Sequence, residues 1–266
     1  MNGNILGLEG KSSLVVGGGS GIGRASAQLL AQAGAQVTVA DIDAQRAAAV
    51  SDEAKALGAS TSTAIGDVTD PAAAEAAVAA AADLGGGIDV LVNIVGMAAW
   101  TQIFDLDDAT WDLEMARNLR HHLYVARAAA RRMVEQGRGG SMAMVASVSG
   151  IYGAPNHAAY GAAKAALMAL SRSMANEWGQ FGIRVNAIAP DGINTPRVLA
   201  MRESRGTNTP AHAVSERHLL GRFGTPEEIA GPLVFMVSDL AGFVTGQTLI
   251  VDGGRRSAFP LASPSM

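Results

Sequence analysis

The feature that most restricts the possible folds is a short apolar run that stops at glycines and is followed at once by a helical pattern. Residues 13–17 are typical of a buried strand, and residues 24–33 have the composition of a helix. The turn between them carries Gly17, Gly21 and Gly23. Such a turn lets the backbone approach a pyrophosphate at the amino end of the helix. We therefore predict a dinucleotide-binding turn, and an ordinary glycine-rich turn is the alternative.

Strand and helix patterns alternate along the rest of the chain. Strands are predicted at residues 13–17, 36–40, 60–65, 88–92, 140–146, 182–189 and 246–254, and helices at 24–33, 43–57, 71–84, 111–136, 154–178 and 225–238. This alternation predicts an α/β fold: a Rossmann-type, doubly wound parallel sheet of about seven strands with helices on both faces. Thr225, Pro226 and Glu228 have the spacing of a helix start, with Thr225 as its cap.

The chain shows no internal repeat and no linker, so we expect residues 1–266 to form one domain. Residues 197–222 are polar and irregular, and we expect them to form a lid loop over the substrate. The tail, residues 255–266, carries two prolines and is expected to be extended.

Polar residues follow the predicted strands at the edge where parallel sheets bind ligands. Asp41, Asp67 and Asn93 end the second, third and fourth strands. A carboxylate at the second of these ends can accept hydrogen bonds from ribose hydroxyls and repels a 2′-phosphate. Because residues 18–20 include no arginine or lysine to receive that phosphate, Asp41 predicts NAD rather than NADP. The alternative is that Asp41 is a helix cap or a turn residue.

Tyr160 and Lys164 are one helical turn apart in an alanine-rich run, in which only Gly161 disfavours a helix. On a helix, the hydroxyl and the ammonium group would point the same way. A nearby cation lowers the pKa of tyrosine from its ordinary value of about 10. The pair is therefore a candidate general acid/base. An exposed tyrosine beside a solvated lysine is the alternative.

The predicted helix at 111–136 contains Asn118 in its middle, where asparagine is unfavourable. A solvent-facing position is the simplest explanation. His121 and His122 are adjacent in the same helix, so their side chains point about 100° apart and cannot chelate one metal. We expect them to be packing or interface residues, and we expect no metal site.

Composition narrows the class of protein. Hydrophobic residues make up 48% of the chain, which is ample for a buried core, and there are no cysteines for disulfides or thiolate metal sites. The net charge of −4 gives no electrostatic case for nucleic acid or an anionic membrane. No apolar stretch approaches the length of a membrane span, and the amino terminus lacks a signal-peptide pattern. We therefore expect a soluble, cytoplasmic protein.

Taken together, these motifs resemble the short-chain dehydrogenase/reductase family in its short, single-domain form. The resemblance covers roughly residues 8–254, and Ser147 precedes Tyr160 by the thirteen residues that the family calls for. The matching positions are Gly17, Gly21, Ile22, Gly23, Asp67, Val68, Asn93, Gly96, Asn118, Ser147, Tyr160, Lys164, 186–190, Ile193, Thr195 and 251–254.

The resemblance implies a role for each of four residues in hydride transfer between NAD and a secondary alcohol or ketone. Tyr160 would be the general acid/base, and Ser147 would hydrogen-bond the reacting oxygen. Lys164 would lower the pKa of Tyr160 and bind the nicotinamide ribose. Asn118 would hold a water that relays protons to Lys164, which supplies a second reason for an asparagine in mid-helix.

The resemblance also implies contacts with the cofactor and the substrate. The expected cofactor-binding residues are Gly17, Gly19, Ser20, Gly21, Ile22, Gly23, Asp41, Ile42, Asp67, Val68, Asn93, Val95, Gly96, Tyr160, Lys164, Pro190, Gly192, Ile193 and Thr195. Among them, Asp41 would bind the adenosine ribose, and Ile193 and Thr195 the nicotinamide amide. The residues expected near the substrate are Trp100, Ser149, His157, Gly192, Val198 and Met201. His157 is alternatively a helix-start residue.

Four residues depart from the family pattern. Val16 replaces a threonine that ties the glycine turn to the strand carrying Asn93, so we expect a weaker tie. Ile94 and Val95 replace a polar and a small residue, and Asp191 is inserted into a Pro-Gly pair. These departures bear on cofactor affinity and leave the four catalytic positions unchanged.

Family members are commonly tetramers or dimers, so the resemblance implies a homo-oligomer, with the helices at 111–136 and 154–178 as packing faces. Two other functions stay open. The same fold serves other NAD(P)-dependent reactions, such as enoyl reduction, dehydration or epimerisation, and it also occurs in cofactor-binding proteins without catalysis.

Overall fold

The computed structural model describes residues 4–204 and 218–257. Its strands are β1 (Ser12–Val16), β2 (Gln36–Asp41), β3 (Thr61–Ile65), β4 (Val90–Asn93), β5 (Gly140–Val145), β6 (Ile183–Pro190) and β7 (Thr248–Val251). Its α-helices are α1 (Gly21–Gln32), α2 (Ala44–Ala56), α3 (Pro71–Gly85), α4 (Asp108–Met115), α5 (His121–Glu135), α6 (Ala158–Trp178), α7 (Pro196–Ser204) and α8 (Pro226–Val237).

All seven strands are parallel and lie in one sheet, in the order β3-β2-β1-β4-β5-β6-β7. One core layer packs α3, α5 and α6 on one face of the sheet, and a second layer packs α1, α2 and α8 on the other. The predicted doubly wound sheet is therefore confirmed. The strand order reverses between β1 and β4, which is where such sheets form their ligand crevice.

The glycine turn brings α1 unusually close to the end of β1. Gly17 has a positive φ of 78°, which favours glycine. A side chain at position 23 would overlap the carbonyl oxygen of Gly17. Helix α1 begins at Gly21, three residues before the predicted start, so that the turn runs directly into the helix.

The cap predicted for α8 is confirmed. The backbone N–H of Thr225 donates to Glu228 Oε2 at 2.9 Å, and Pro226 is the first residue of the helix. This reciprocal arrangement satisfies N–H groups that the first turn of a helix leaves unpaired.

The helix predicted at 111–136 is not continuous. Helix α4 ends at Met115, a π-helical turn spans Ala116–Arg120, and α5 follows. π-Helical turns like the one at Ala116–Arg120 are frequent at functional sites.

Helix α6 begins at Ala158 rather than at residue 154, because the preceding turn holds Asn156 at a φ of +63°.

The prediction that residues 197–222 are irregular is wrong in its first part, because Pro196–Ser204 form α7. Residues 205–217 lie outside the described residues. The predicted extended tail is also wrong at its start, where Arg255–Ser257 form a short 3₁₀ turn, and residues 258–266 are outside the described residues. In the ranges that are described, no helix combines the length and the apolar character that a bilayer crossing requires.

His121 and His122 lie inside the protein, as packing residues. Both side chains are fully buried, and their ring centroids are 4.1 Å apart. Burial lowers the pKa of His121 to about 3 and places that of His122 well below its ordinary value. Both rings are therefore neutral at physiological pH.

These two histidines predict a loss of stability in mild acid. The unfolded chain takes up protons on both rings near pH 6.5, whereas the folded protein does not, so stability falls as the pH drops below about 6.5 and toward the folded pKa. Each histidine contributes up to about 1.4 kcal/mol per pH unit in that window. Urea unfolding at about pH 7.5 and pH 5.5 measures the difference. Replacing both residues, as His121→Met and His122→Met, should flatten it, and an unchanged difference would contradict this account.

Candidate active site

Three of the four predicted catalytic residues lie around the carboxyl end of β5. Ser147 lies two residues beyond the end of β5 and is 8% exposed. Tyr160 and Lys164 lie in the first two turns of α6, with Lys164 Nζ 5.7 Å from the centroid of the Tyr160 ring. The helical spacing of the two residues therefore places the hydroxyl and the ammonium on the face of α6 that meets the end of β5.

Gly161 has a packing reason in the middle of this helix. A side chain at position 161 would bring its Cβ to 2.7 Å from the carbonyl oxygen of Ser149. Glycine costs a helix about 1 kcal/mol relative to alanine. Here it lets the turn that carries Ser147 approach α6, so the residue that disfavours the helix also closes the site.

Lys164 is buried, and its Nζ donates to the carbonyl of Val145 at 2.7 Å. Burial lowers the pKa of Lys164 to about 7, and the charge of Glu114 opposes this shift. Burial also raises the pKa of Tyr160, and the Ser147 hydroxyl opposes that shift. The expected lowering of the tyrosine pKa by Lys164 is therefore not what this arrangement gives: the ammonium is aimed at Val145, and desolvation dominates.

Asn118 is the fourth residue, and the suggestion that it faces solvent is wrong. It is fully buried in the π-helical turn. Its Nδ2 donates to the carbonyls of Met97, at 2.9 Å, and Glu114, at 3.0 Å, and its Oδ1 accepts the N–H of Met97 at 2.8 Å. Asn118 therefore anchors the segment that follows β4, and the relay role stays a prediction.

Asp41 lies at the end of β2, against the glycine turn. Its carboxylate accepts the N–H of Gly19 at 3.0 Å and pairs with Arg46 at 3.0 Å. The cap of α2 is Asp43, whose side chain accepts from the N–H groups of Gln45 and Arg46, so the alternative role of Asp41 as that cap is wrong. Sequence reasoning missed Arg46, although its place in the first turn of the helix after β2 was a usable signal.

The adenine side of the expected site has a fixed aspartate and a buried asparagine. Asp67 accepts from the N–H and the hydroxyl of Thr69, and these bonds lower its pKa. Asn93 is fully buried, and neither of its side-chain polar atoms has a hydrogen-bond partner in the described part of the chain. Val16 stands beside Asn93 in the sheet, and the backbone N–H of Ile94 donates to the carbonyl of Val16 at 2.9 Å. Because Val16 has no hydroxyl to bond the Asn93 amide, the weaker tie stays a prediction.

The segment after β6 closes over the glycine turn. A Cβ added to Gly21 would be 3.3 Å from Thr195, so these two expected cofactor residues lie together. Ile193 is 8% exposed and packs in the core. Asp191 accepts from Arg255 at 2.8 Å and lies 3.3 Å from His218, so the charge of the inserted aspartate is balanced by Arg255.

The structure brings together three of the residues expected near the substrate. Ser149 Oγ lies 3.2 Å from His157 Nδ1, and the ring centroid of His157 lies 4.2 Å from that of Trp100 and 5.4 Å from that of Tyr160. His157 is also the residue that precedes α6, as its alternative interpretation expects, and its contact with the substrate stays a prediction. Val198 and Met201 are partly buried on α7.

Two charged residues near Tyr160 were missed by sequence reasoning. The positive charge of Arg197, at the start of α7, opposes the rise in the pKa of both Tyr160 and Glu114. Glu114, in the last turn of α4, is 1% exposed. No sequence motif marks either residue, because their proximity to Tyr160 follows from the packing of α4 and α7.

The remaining expected cofactor residues line the same edge. Ser20 and Ile22 belong to the glycine turn, and Ile42 is exposed at the end of β2. Val68 is buried after β3, and Val95 and Gly96 follow β4. Pro190 is the last residue of β6, and Gly192 lies two residues beyond it. A carboxylate has about four lone-pair sites, and Asp41 already accepts from N–H groups of Gly19, Asp43 and Arg46, so about one site is left for a ribose hydroxyl. The close glycine turn, the free N–H groups of α1 and Asp41 therefore fit a nicotinamide dinucleotide.

Comparison with known proteins gives a family match over most of the chain. A family model described as "Enoyl-(Acyl carrier protein) reductase" matches residues 17–256. The 2-keto-3-deoxy-L-fuconate dehydrogenase of Xanthomonas campestris pv. campestris is 39% identical over 249 residues, which cover 93% of this chain and 80% of the relative. The L-rhamnose 1-dehydrogenase (NAD(P)(+)) of Azotobacter vinelandii is 38% identical over 252 residues, covering 93% and 97%.

A solved structure agrees with these relatives. The crystal structure of a short-chain type dehydrogenase/reductase from Mycobacterium marinum has a TM-score of 0.84 and 31% identity, and the match covers 95% of this chain and 97% of that one. The seven-stranded parallel sheet, the glycine turn and the Tyr160–Lys164 pair agree with this match. The chain therefore belongs to the short-chain dehydrogenase/reductase family, and the two relatives named above are dehydrogenases.

Proposed function

We propose that this protein is an NAD-dependent dehydrogenase that moves a hydride between the nicotinamide and a secondary alcohol or ketone. The observation that carries the proposal is the meeting of Ser147, Tyr160 and Lys164 at the sheet edge that also holds the glycine turn. NAD, when bound there, supplies the hydride acceptor. The names of the two dehydrogenase relatives support this reaction class.

In the oxidising direction, Tyr160 takes the proton from the alcohol hydroxyl. Ser147 holds the reacting oxygen by a hydrogen bond, and removing one such donor typically costs about 2.7–4 kcal/mol of barrier. The Ser147 hydroxyl also favours the phenolate, because its hydrogen bond to Tyr160 opposes the rise in the pKa of Tyr160 that burial causes. Since the pKa of Lys164 is lowered to about 7, this group exchanges protons readily near neutral pH. Asn118 completes the path by holding the water that passes the proton onward.

The preference for NAD follows from the surroundings of Asp41. Its side chain is 9% exposed and faces the N–H of Gly19, so its negative charge lies beside the turn. A 2′-phosphate placed there would meet that charge in a partly desolvated position. Arg46, half-exposed, is held by Asp41 and so is not available to pair with the phosphate. The name of the relative from Azotobacter vinelandii includes both cofactors and therefore does not distinguish them. The proposed preference for NAD rests on Asp41 of this chain.

The substrate is proposed to be a small hydroxylated molecule. Ser149 and His157 offer polar groups beside Tyr160, and Trp100 offers an apolar ring face next to them. A ring face with flanking hydrogen-bonding groups suits a sugar or a sugar acid. Two relatives bear sugar-related names, which supports this class. We propose that the segment 197–222, which includes α7, covers the substrate.

We further propose that the 266 residues work as one domain in a cytoplasmic homo-oligomer, a homotetramer or a dimer. Helices α4 and α5 leave Trp111, Leu113 and Val134 about two-fifths exposed, which agrees with packing against a second copy. The family resemblance supports the same assembly.

Enoyl reduction is the second candidate function, because the matching family model carries that description. Enoyl reductases of this superfamily usually space the tyrosine and the lysine more widely than Tyr160 and Lys164, which are four residues apart, so this spacing favours carbonyl chemistry instead. Two assays with NADH distinguish the reactions, one with a ketose or a small ketone and one with a short enoyl thioester. Turnover of the ketone alone supports the first proposal, and turnover of the thioester alone supports the second.

We predict that Tyr160→Phe binds NADH normally and loses alcohol oxidation by a factor of at least about 10², since general acid/base catalysis typically contributes 10²–10⁴-fold. The phenyl ring preserves the packing with His157, so the fold is retained. Binding is measured by NADH fluorescence and turnover by NADH absorbance. Tyr152→Phe is the matched control and should keep full turnover, because it removes a tyrosine hydroxyl that has no role in the proposed mechanism. Unchanged turnover in Tyr160→Phe would contradict the assigned role.

We also predict that Asp41→Ser reverses the cofactor preference. The change removes the charge that repels a 2′-phosphate and leaves Arg46 with only its longer contact to Asp43, at 3.7 Å, among its ion pairs in the described residues, so that Arg46 can bind the phosphate. Relative affinity should shift toward NADPH by about tenfold or more, since a hydrogen bond to a charged group contributes roughly 1.5–3 kcal/mol. Asp43→Ser is the control, because serine keeps the cap of α2. Tighter binding of NADPH than of NADH by the unmodified protein would show that Asp41 does not select NAD.

A further inference from the structure

Glu114 is a buried carboxylate next to the catalytic site, and the mechanism proposed above does not use it. It is 1% exposed, in the last turn of α4, four residues before Asn118. Its Oε1 accepts the N–H of Ala99 at 3.0 Å, and its Oε2 accepts from Asn118 Nδ2 at 3.3 Å. The other buried acidic residue in the described ranges, Asp89, is ion-paired with Arg138, whereas Glu114 is held by hydrogen bonds from an amide and a backbone N–H.

The charged groups that face Glu114 come from three elements. They are Arg117 in the π-helical turn, Lys164 on α6 and Arg197 at the start of α7, and all three favour the ionised carboxylate. Burial opposes them and raises the pKa of Glu114. In return, the negative charge of Glu114 acts on Lys164 and on Tyr160, and in both residues it favours the protonated form.

The packing around Lys164 leaves little room for movement. A Cβ added to Gly96 would lie 2.9 Å from Lys164 Nζ and 3.0 Å from Asn118 Oδ1. The segment after β4, the Asn118 amide and the Lys164 ammonium therefore meet around a small volume. Glu114 borders this volume from α4, through Ala99 on one side and Asn118 on the other.

We propose that Glu114 is a positioning residue of the active site, which fixes the Asn118 amide and the segment 97–99 and whose negative charge opposes the loss of a proton from the Tyr160–Lys164 pair. This inference rests on the proposed function for its meaning in catalysis. The charge effect itself concerns only groups of this chain, so it can be measured without turnover.

The direction of the effect follows from the charge. A nearby negative charge makes it harder for the Tyr160–Lys164 pair to lose a proton. Removing that charge lowers the pH at which the pair releases its first proton, whichever of the two residues carries it. The acid limb of the pH profile for alcohol oxidation, which needs the deprotonated pair, then moves to lower pH.

The test variant is Glu114→Gln, which keeps the shape of the side chain and one acceptor for the Ala99 N–H but removes the charge. The first readout is the ultraviolet difference spectrum of tyrosine ionisation, taken as the protein minus its Tyr160→Phe counterpart, which isolates one of three tyrosines. We expect the midpoint to move to lower pH by roughly half to one unit in Glu114→Gln. The acid limb of kcat/KM should move by a similar amount, with KM for NAD changed by less than about twofold.

Two further variants keep the test decisive. Glu114→Asp retains the charge, and its midpoint should stay near that of the unmodified protein, even if its shorter side chain lowers kcat. Glu135→Gln, on the exposed surface of α5, is the control for removing any carboxylate and should change neither readout. If Glu114→Gln does not fold, a midpoint in Glu114→Asp that differs from that of the unmodified protein would overturn the charge role, and an unchanged midpoint would support it.

Two results would overturn the proposal. One is a midpoint in Glu114→Gln equal to that of the unmodified protein. The other is a loss of kcat that is equal at every pH with no shift of the acid limb, which would mark a purely structural role. A spectroscopic shift in a protein that oxidises no alcohol would support the Glu114 proposal and contradict the proposed function, so the two failures are distinguishable.

Discussion

The arrangement of the site depends on the burial of one ammonium group, that of Lys164. A charge in the interior is costly unless it is hydrogen-bonded, and here Nζ donates to the carbonyl of Val145 at 2.7 Å. This bond ties α6 to the end of β5 and places Tyr160 beside Ser147. Small residues such as Gly161 make the approach possible, because a side chain there would crowd the turn after β5. The same burial lowers the pKa of Lys164 to about 7, which suits proton exchange near neutrality.

The parallel sheet connects this site with the glycine turn. Because all strands run the same way, the ends of β1, β2, β4, β5 and β6 share one edge. Asp41 and the turn lie toward one end of that edge, and Tyr160 lies toward the other. Thr195, which follows β6, packs against Gly21 and so connects these two parts of the edge. A dinucleotide bound at the turn would therefore extend toward Tyr160, as the proposed hydride transfer requires.

Local patterns predicted most of the fold, and they failed where distant residues decide the structure. The strands, the glycine turn and the cap at Thr225 follow from short-range chemistry. The π-helical turn at Asn118 does not, because it depends on bonds from Asn118 to the Met97 backbone. Arg46 and Glu114 were missed for the same reason, since each matters through a residue that the fold brings near. The predicted direction of the pKa shift of Tyr160 was wrong, because the helical spacing of Tyr160 and Lys164 does not tell how deeply the two groups are buried.

The most direct test of this account is a crystal structure of the protein with NADH. The account predicts the adenosine ribose on Asp41, the pyrophosphate at the amino end of α1 and the nicotinamide between Thr195 and the hydroxyl of Tyr160. It also predicts that Glu114 and Asn118 keep their contacts with residues 97–99. A nicotinamide ring bound away from Tyr160, or a cofactor that does not reach Asp41, would contradict the claim that this edge of the sheet carries out hydride transfer.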